Sequence, residues 1–339
     1  MNSKPYFQHL WQRGCDYLGA PKAIMGGAMT WVSERHLVSA LSNAGAFGVL
    51  ACGAMKPDML RAEIQETKKL TQKPFGVNLI VMHPELEALA QVCVDEKVPH
   101  VVLAGGLPPA AVVSKLKAGG TKVMAFAPAL VIAKKLLRSN IDALVIEGSE
   151  AGGHIGPVST FVLAQEILPE IKDVPVFAAG GIGRGEGILA LLEMGAAGVQ
   201  LGTRFVCAKE CIAHAKFKQA FIRGAARDAQ PSVQLDPRFP VIPVRALMNN
   251  GTRHFTEKQR EVMSRFETGA VEQKAAQLEI EHFWAGALRR AVMEGDVAEG
   301  SLMAGQSVGM VDKEQPVTVI LDELIGQALA ALEKRNLPK

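Results

Sequence analysis

Between residues 23 and 201 eight short apolar runs are separated by seven helical patterns. The runs are Ala23–Met25, Phe47–Ala51, Gly76–Ile80, His100–Ala104, Lys122–Phe126, Ala143–Glu147, Val174–Ala179 and Gly198–Leu201. The intervening patterns are Glu34–Ala44, Lys56–Leu70, Pro84–Glu96, Pro108–Ala118, Pro128–Ser139, Ser159–Ile171 and Gly185–Met194. Proline at a helix start costs little, because the missing N–H would be unpaired there anyway. The runs are rich in Val, Ile and Ala without strict alternation, as expected of strands buried on both faces. Right-handed β-to-α crossovers repeated eight times close into an α/β fold, the (β/α)8 TIM barrel. An open doubly wound sheet is the alternative.

The rhythm stops after the eighth run. Residues 208–300 carry mixed-charge helical patterns punctuated by Arg223–Arg227, Asp236–Pro240 and Asn249–Gly251. They read as a mostly helical insertion on the substrate side of a barrel formed by 15–207 and 301–339. A last amphipathic helix over about 317–334 covers the barrel wall. Lys plus Arg is 37 against 34 Asp plus Glu, with no basic patch interleaved with aromatics, so nucleic acid is not the expected partner. Cys15, Cys52, Cys93, Cys207 and Cys211 are odd in number and scattered. That pattern fits a reducing compartment rather than a disulfide framework. The first residues lack the apolar run of a secretory signal, and no stretch is long and apolar enough to span a membrane. A cytoplasmic protein follows, compatible with a homodimer.

Three clusters could carry chemistry. In Val176–Gly187 a strand enters a glycine cluster and a helix follows; the next strand ends in Gln200-Leu-Gly-Thr-Arg-Phe205. Two consecutive strand ends of this kind fit the phosphate site of many barrels. The plain alternative is two tight turns. Glu147-Gly-Ser-Glu-Ala-Gly-Gly-His-Ile-Gly156 follows the sixth strand, so His154 stands on the catalytic face of a barrel. An imidazole there can act as acid or base near neutral pH, or simply cap a turn. Glu147 and Glu150 could bind a cation, tune the histidine or shape the loop. Met25-Gly-Gly-Ala-Met29 could lie against a flat cofactor, and Asn78 offers a donor and an acceptor to a ring edge. Both could equally be turn residues. Cys207, Cys211 and His214 resemble a metal cluster only by composition. The remaining histidines, His100 among them, read as surface or satisfied core residues.

These motifs, in this order on these strand ends, resemble the FMN-dependent barrel family of nitronate monooxygenases (2-nitropropane dioxygenases) and FabK-type enoyl-acyl-carrier-protein reductases. The likeness runs from about Ile24 to Leu324 and includes Pro74-Phe-Gly-Val-Asn78 and Met303-Ala-Gly-Gln306. It is closer to the enoyl reductases, through the His154 loop, Val206-Cys-Ala-Lys-Glu210 with His214, and Gly295-to-Gln306. One departure stands out. The family's first turn is usually of Gln-Gly-Gly-Met or Gln-Gly-Ala-Met type, and Gly26 is read at the Gln position.

The resemblance implies FMN as cofactor, with Met25, Gly26 and Gly27 along the ring or ribityl chain and Asn78 at the ring edge. Gly180, Gly181, Gly202 and Thr203 would cradle the phosphate, and Met303, Gly305 and Gln306 would close the far side. Glu147, Gly152, Gly153, Ala179 and Gln200 would complete the cofactor's surroundings. His154 would face the substrate. The implied activity is NADH-dependent reduction of an enoyl thioester. The alternatives are oxidation of alkyl nitronates with oxygen, and NADH:quinone reduction. An acidic acyl carrier protein would need basic residues near the mouth, and Arg204, Arg223, Arg227, Arg245 and Arg253 are the candidates.

Overall fold

The computed structural model describes residues 3–53 and 55–335. Eight parallel strands form the barrel: β1 (Ile24–Gly26), β2 (Val49–Ala51), β3 (Gly76–Ile80), β4 (His100–Ala104), β5 (Lys122–Phe126), β6 (Ala143–Glu147), β8 (Val176–Ala179) and β9 (Gly198–Leu201). A two-residue strand, β7 (Gly153–His154), lies in the loop after β6 and belongs to another sheet. The ladder runs β1-β9-β8-β6-β5-β4-β3-β2. Its two ends meet through a bridge from Met25 to Phe47, where the Gly26 N–H donates to Phe47 O (2.8 Å) and the Phe47 N–H to Ile24 O (2.9 Å). The fold is therefore a (β/α)8 barrel and not an open sheet.

The sequence rhythm becomes structure by simple means. Strands such as Ala143–Ile146 are wholly buried, with the barrel interior on one side and helices on the other. The helix Arg35–Asn43 turns Leu37, Val38 and Leu41 inward, and the Glu34 carboxylate caps it by accepting from the His36 and Leu37 N–H groups. Helix Gly185–Glu193 lies directly against helix Val317–Arg335. A Cβ on Gly185 would fall 1.9 Å from Leu324 O, so only glycine permits that approach.

One element was not expected. Residues Ser3–Leu18 form a helix that covers the N-terminal end of the barrel. Tyr17 O receives hydrogen bonds from His100 Nε2 (2.9 Å) and Lys122 Nζ (2.8 Å), both at strand starts. The rings of Tyr17, His100 and Phe47 pack edge to face there. His100 is thus a core residue, but not a satisfied one: its Nδ1 and the Tyr17 hydroxyl are buried without a partner among the described residues. Burial pushes His100 down to about 4.

The segment after β9 is also more than helical. Besides helices Ala215–Arg223, Asn250–Glu267 and Gln273–His282, it holds β10 (Ala229–Pro231) and β11 (Val244–Leu247). These pair antiparallel, and β11 pairs on its other edge with β7, giving the order β10-β11-β7. Phe239, Phe255, Val262, Ala276 and Ile280 form a second small core. Phe217, Phe221, Ala229 and Leu247 join the main one instead.

Candidate active site

The barrel's C-terminal end brings distant residues into one layer. Met25 pairs in register with Gln200, Gln200 with Ala179, and Ala179 with Glu147. Asn78 is on β3, across the barrel from β8 in the strand order. One Nδ2 hydrogen of Asn78 is used inside the barrel, donating to Val102 O at 2.9 Å. Its Oδ1 and second N–H have no partner among the described residues. Position 26 does not face this layer. A Cβ there would fall 2.4 Å from Leu41 Cδ1, on the helix side of β1. Strand alternation then turns Met25 inward, so the departure at Gly26 leaves the mouth unaltered.

The glycines form a wall of backbone contacts. The Gly27 N–H donates to Leu201 O (2.8 Å), and a Cβ on Gly27 would lie 3.5 Å from the Gly202 Cα. Gly180 and Gly181 have φ of +94° and +70°, which L side chains rarely adopt. No acceptor within the described residues takes the N–H groups of Gly181, Gly202 and Thr203. The Thr203 hydroxyl accepts from the Gly305 N–H (2.9 Å), and the Gln306 N–H donates to Glu150 O (2.9 Å). A Cβ on Gly152 would come within 2.6 Å of Gly305 N. The return segment Met303–Gln306 is therefore packed, backbone on backbone, against the loop after β6.

His154 sits on β7, opposite Val244 of β11, and is open to solvent. The desolvating protein around it still holds its imidazole below the usual value, so it is neutral at pH 7. Met303 lies close by: a Cβ on Gly153 would be 3.7 Å from its Sδ. The Glu147 carboxylate has no hydrogen-bond partner among the described residues, and burial pushes it up to about 7. Glu150 shapes the loop. Its Oε2 accepts from the Thr160 N–H (2.9 Å) and hydroxyl (3.1 Å), while that hydroxyl also reaches Ala179 O and Gly180 O at 3.0 Å.

Two of the five arginines expected to face an acidic partner are inside the protein. Arg204 is 1% exposed and donates to Gln315 and Glu323. Arg245 is 7% exposed and donates to two backbone carbonyls. Arg223, Arg227 and Arg253 are on the surface. Cys207 and Cys211 are buried thiols pushed up to about 12 and 11, which makes them poor ligands and nucleophiles. Sequence reasoning missed the Thr160 latch and the role of Arg245, because each partner is remote or a backbone atom. It also missed Trp31, whose φ of 68° is rare for a bulky residue and whose ring lies 5.8 Å from the Arg289 guanidinium. A cleft of about 450 Å³ between the loops after β3 and β4, lined by Val81, His83, Leu86, Pro109 and Val112, holds none of the expected site residues.

Known proteins share this arrangement. A family model described as nitronate monooxygenase matches residues 16–94 and 87–327. A nitronate monooxygenase of Paraburkholderia phytofirmans is 34% identical over 257 residues, 62% of this chain and 70% of that one. The (3aS,4S,5R,7aS)-5-hydroxy-7a-methyl-1-oxo-octahydro-1H-indene-4-carboxyl-CoA dehydrogenase of Rhodococcus jostii is 29% identical over 339 residues, 94% of this chain and 96% of that one. FabK of Thermotoga maritima superposes with a TM-score of 0.86 at 37% identity, covering 95% of this chain and 97% of that one. Among the described residues no helix is long and apolar enough to cross a membrane. The chain is an oxidoreductase and belongs to the nitronate monooxygenase family of flavin-dependent barrels.

Proposed function

We propose that the protein reduces enoyl thioesters with bound FMN, taking electrons from NADH. The observation that carries this reading is the likeness to FabK, at 37% identity and end to end in both chains. The site residues fit the cofactor. Unclaimed N–H groups at Gly181, Gly202 and Thr203 suit a phosphate, and the close approach of Gly27 to Gly202 leaves backbone rather than side chain along that wall. Met25, Ala179 and Gln200 would border the ring on one side and Asn78 on the other, while Gly26, turned toward Leu41, would not. Glu147, Gly152, Gly153, Met303, Gly305 and Gln306 would close the pocket.

Bound FMN supplies the hydride that the β-carbon of the thioester accepts. His154, neutral at pH 7, donates a hydrogen bond from its ring N–H to the thioester carbonyl and orients the α-carbon. Its protonated form, populated as pH falls, delivers the α-proton directly. Arg223, Arg227 and Arg253 are exposed cations that an acidic carrier protein would meet at the surface.

A second reading has its own support. A neutral imidazole at the mouth is also suited to take a proton from a nitroalkane or to hold a nitronate by hydrogen bonding. The Paraburkholderia relative bears that activity in its name. Anaerobic stopped-flow absorbance separates the two. Fast bleaching of the flavin by NADH, then recovery of colour with crotonyl thioester, is the expected result. Bleaching without recovery would point to a quinone or another acceptor. No bleaching by NADH, but flavin reduction by an alkyl nitronate, would replace the reductase reading with the monooxygenase one.

A further inference from the structure

Arg245 is buried yet has no ion-pair partner among the described residues. Burial pushes its guanidinium down, and the nearby charge of Glu150 opposes that shift only in part. A buried cation without a bonded anion is costly, and an apolar side chain of similar volume would avoid the cost. The guanidinium instead spans two chain segments. Its Nε donates to Ser149 O at 2.8 Å and its Nη1 to Ala229 O at 2.5 Å.

Those acceptors belong to different parts of the molecule. Ser149 lies in the loop after β6, one residue before Glu150, whose carbonyl receives the Gln306 N–H. Ala229 opens β10. Arg245 itself lies on β11, in register with Gly153, and the Ile155 N–H donates to Pro243 O (3.1 Å). The next residue, Ala246, bridges to Met303, and the Leu247 N–H donates to Leu302 O (2.9 Å). The strand that carries Arg245 therefore touches β10, the His154 strand and the return segment, and its side chain ties all three to the barrel loop.

We propose that Arg245 is a positioning residue of the active site: its planar fork joins Ser149 O to Ala229 O and so fixes where His154 and Met303 stand over the barrel mouth. This rests on the reading that His154 faces the reacting group. The fork geometry is what matters. A lysine keeps the charge, but its single Nζ on a flexible stem does not span both carbonyls at fixed angles. Misplacement of a catalytic group by about 1 Å costs on the order of 100-fold in rate.

The test compares wild type with Arg245→Met and Arg245→Lys. Hydrogen exchange is read by mass spectrometry on the cofactor-free protein, and FMN affinity by fluorescence quenching. In both variants amides 149–155 should exchange at least about ten-fold faster, while β3, β4 and β5 exchange as in wild type. FMN should bind about ten-fold more weakly. With whichever substrate class turns over, kcat should fall by about 10- to 100-fold with KM within about three-fold. Restoration of wild-type behaviour by Arg245→Lys overturns the proposal, because charge alone would then suffice. So does exchange at 149–155 that matches wild type or rises alike across the barrel, and so does failure of both variants to fold. Absence of turnover on every substrate would remove the reading of His154 and leave the exchange result to decide the clamp.

Discussion

His154 and Glu147 come from one stretch of chain, the end of β6 and the loop after it, and the protein moves both toward the neutral form. For His154 the desolvating surroundings disfavour the imidazolium, and for Glu147 they disfavour the carboxylate. On the proposed reductase function, with His154 as proton donor, the rate of enoyl reduction should rise as pH falls below 6.5 and the imidazolium forms. His154→Gln should abolish that limb and lower kcat by about 100- to 1000-fold, as a pH series of steady-state rates would reveal. For Glu147 the folded value is above the unfolded one, so the native state binds the extra proton between pH 4.5 and about 7. Its carboxyl thus costs stability progressively as pH rises through that window. In the flavin-free protein, Glu147→Gln should stabilise by about 2 kcal/mol at pH 8 and leave stability unchanged at pH 4.5, read from urea unfolding. The placement of His154 and the glycines at the C-terminal end of the barrel was legible because glycine, histidine and strand end fall within ten consecutive residues. Arg245 and Thr160 were not, since their partners are backbone atoms or lie in another segment.

At the scale of elements, the barrel strands were readable because burial on both faces leaves an unbroken apolar run. Gly76–Ile80, His100–Ala104, Lys122–Phe126, Ala143–Glu147 and Gly198–Leu201 are found with the expected bounds. The first helix escaped because its overall polarity hid its period. Phe7, Trp11, Gly14, Cys15 and Leu18 recur at helical spacing and form its buried face. Gly14 is the tightest point of that face: a Cβ there would lie 2.0 Å from Ala197 O. Gly14→Ala should destabilise the protein by about 2 kcal/mol through displacement of the helix, despite alanine's better helix propensity. A urea midpoint lowered without a change in m would establish it. Strands β7, β10 and β11 were illegible for a different reason. With two to four residues each and partners up to some 90 positions away, they have no local period to read.

For the whole molecule, two desolvated groups at opposite ends of the barrel, buried His100 and half-buried Glu147, oppose each other in their response to pH. His100, at the closed end, has a folded value of about 4 against 6.5 unfolded. The unfolded chain binds more protons in that window, so His100 contributes stability as pH rises from 4 to 6.5, at most about 3 kcal/mol. Glu147, at the open end, acts with the reverse sign over much of the same range. In flavin-free protein each variant should expose the other's slope: Glu147→Gln stability should climb between pH 4.5 and 6.5, and His100→Gln stability should fall. Parallel slopes in the two variants would contradict both assignments.

The strand that carries His154 is an edge strand of a sheet whose other two strands come from the segment after β9. A borrowed edge of this kind limits how such proteins can be recombined. A chimera that exchanges only the segment after β9 inherits two thirds of a sheet and must find its third strand in a foreign loop. Successful grafts should be those that move residues 148–156 together with that segment, so the unit that can be exchanged intact is discontinuous along the chain.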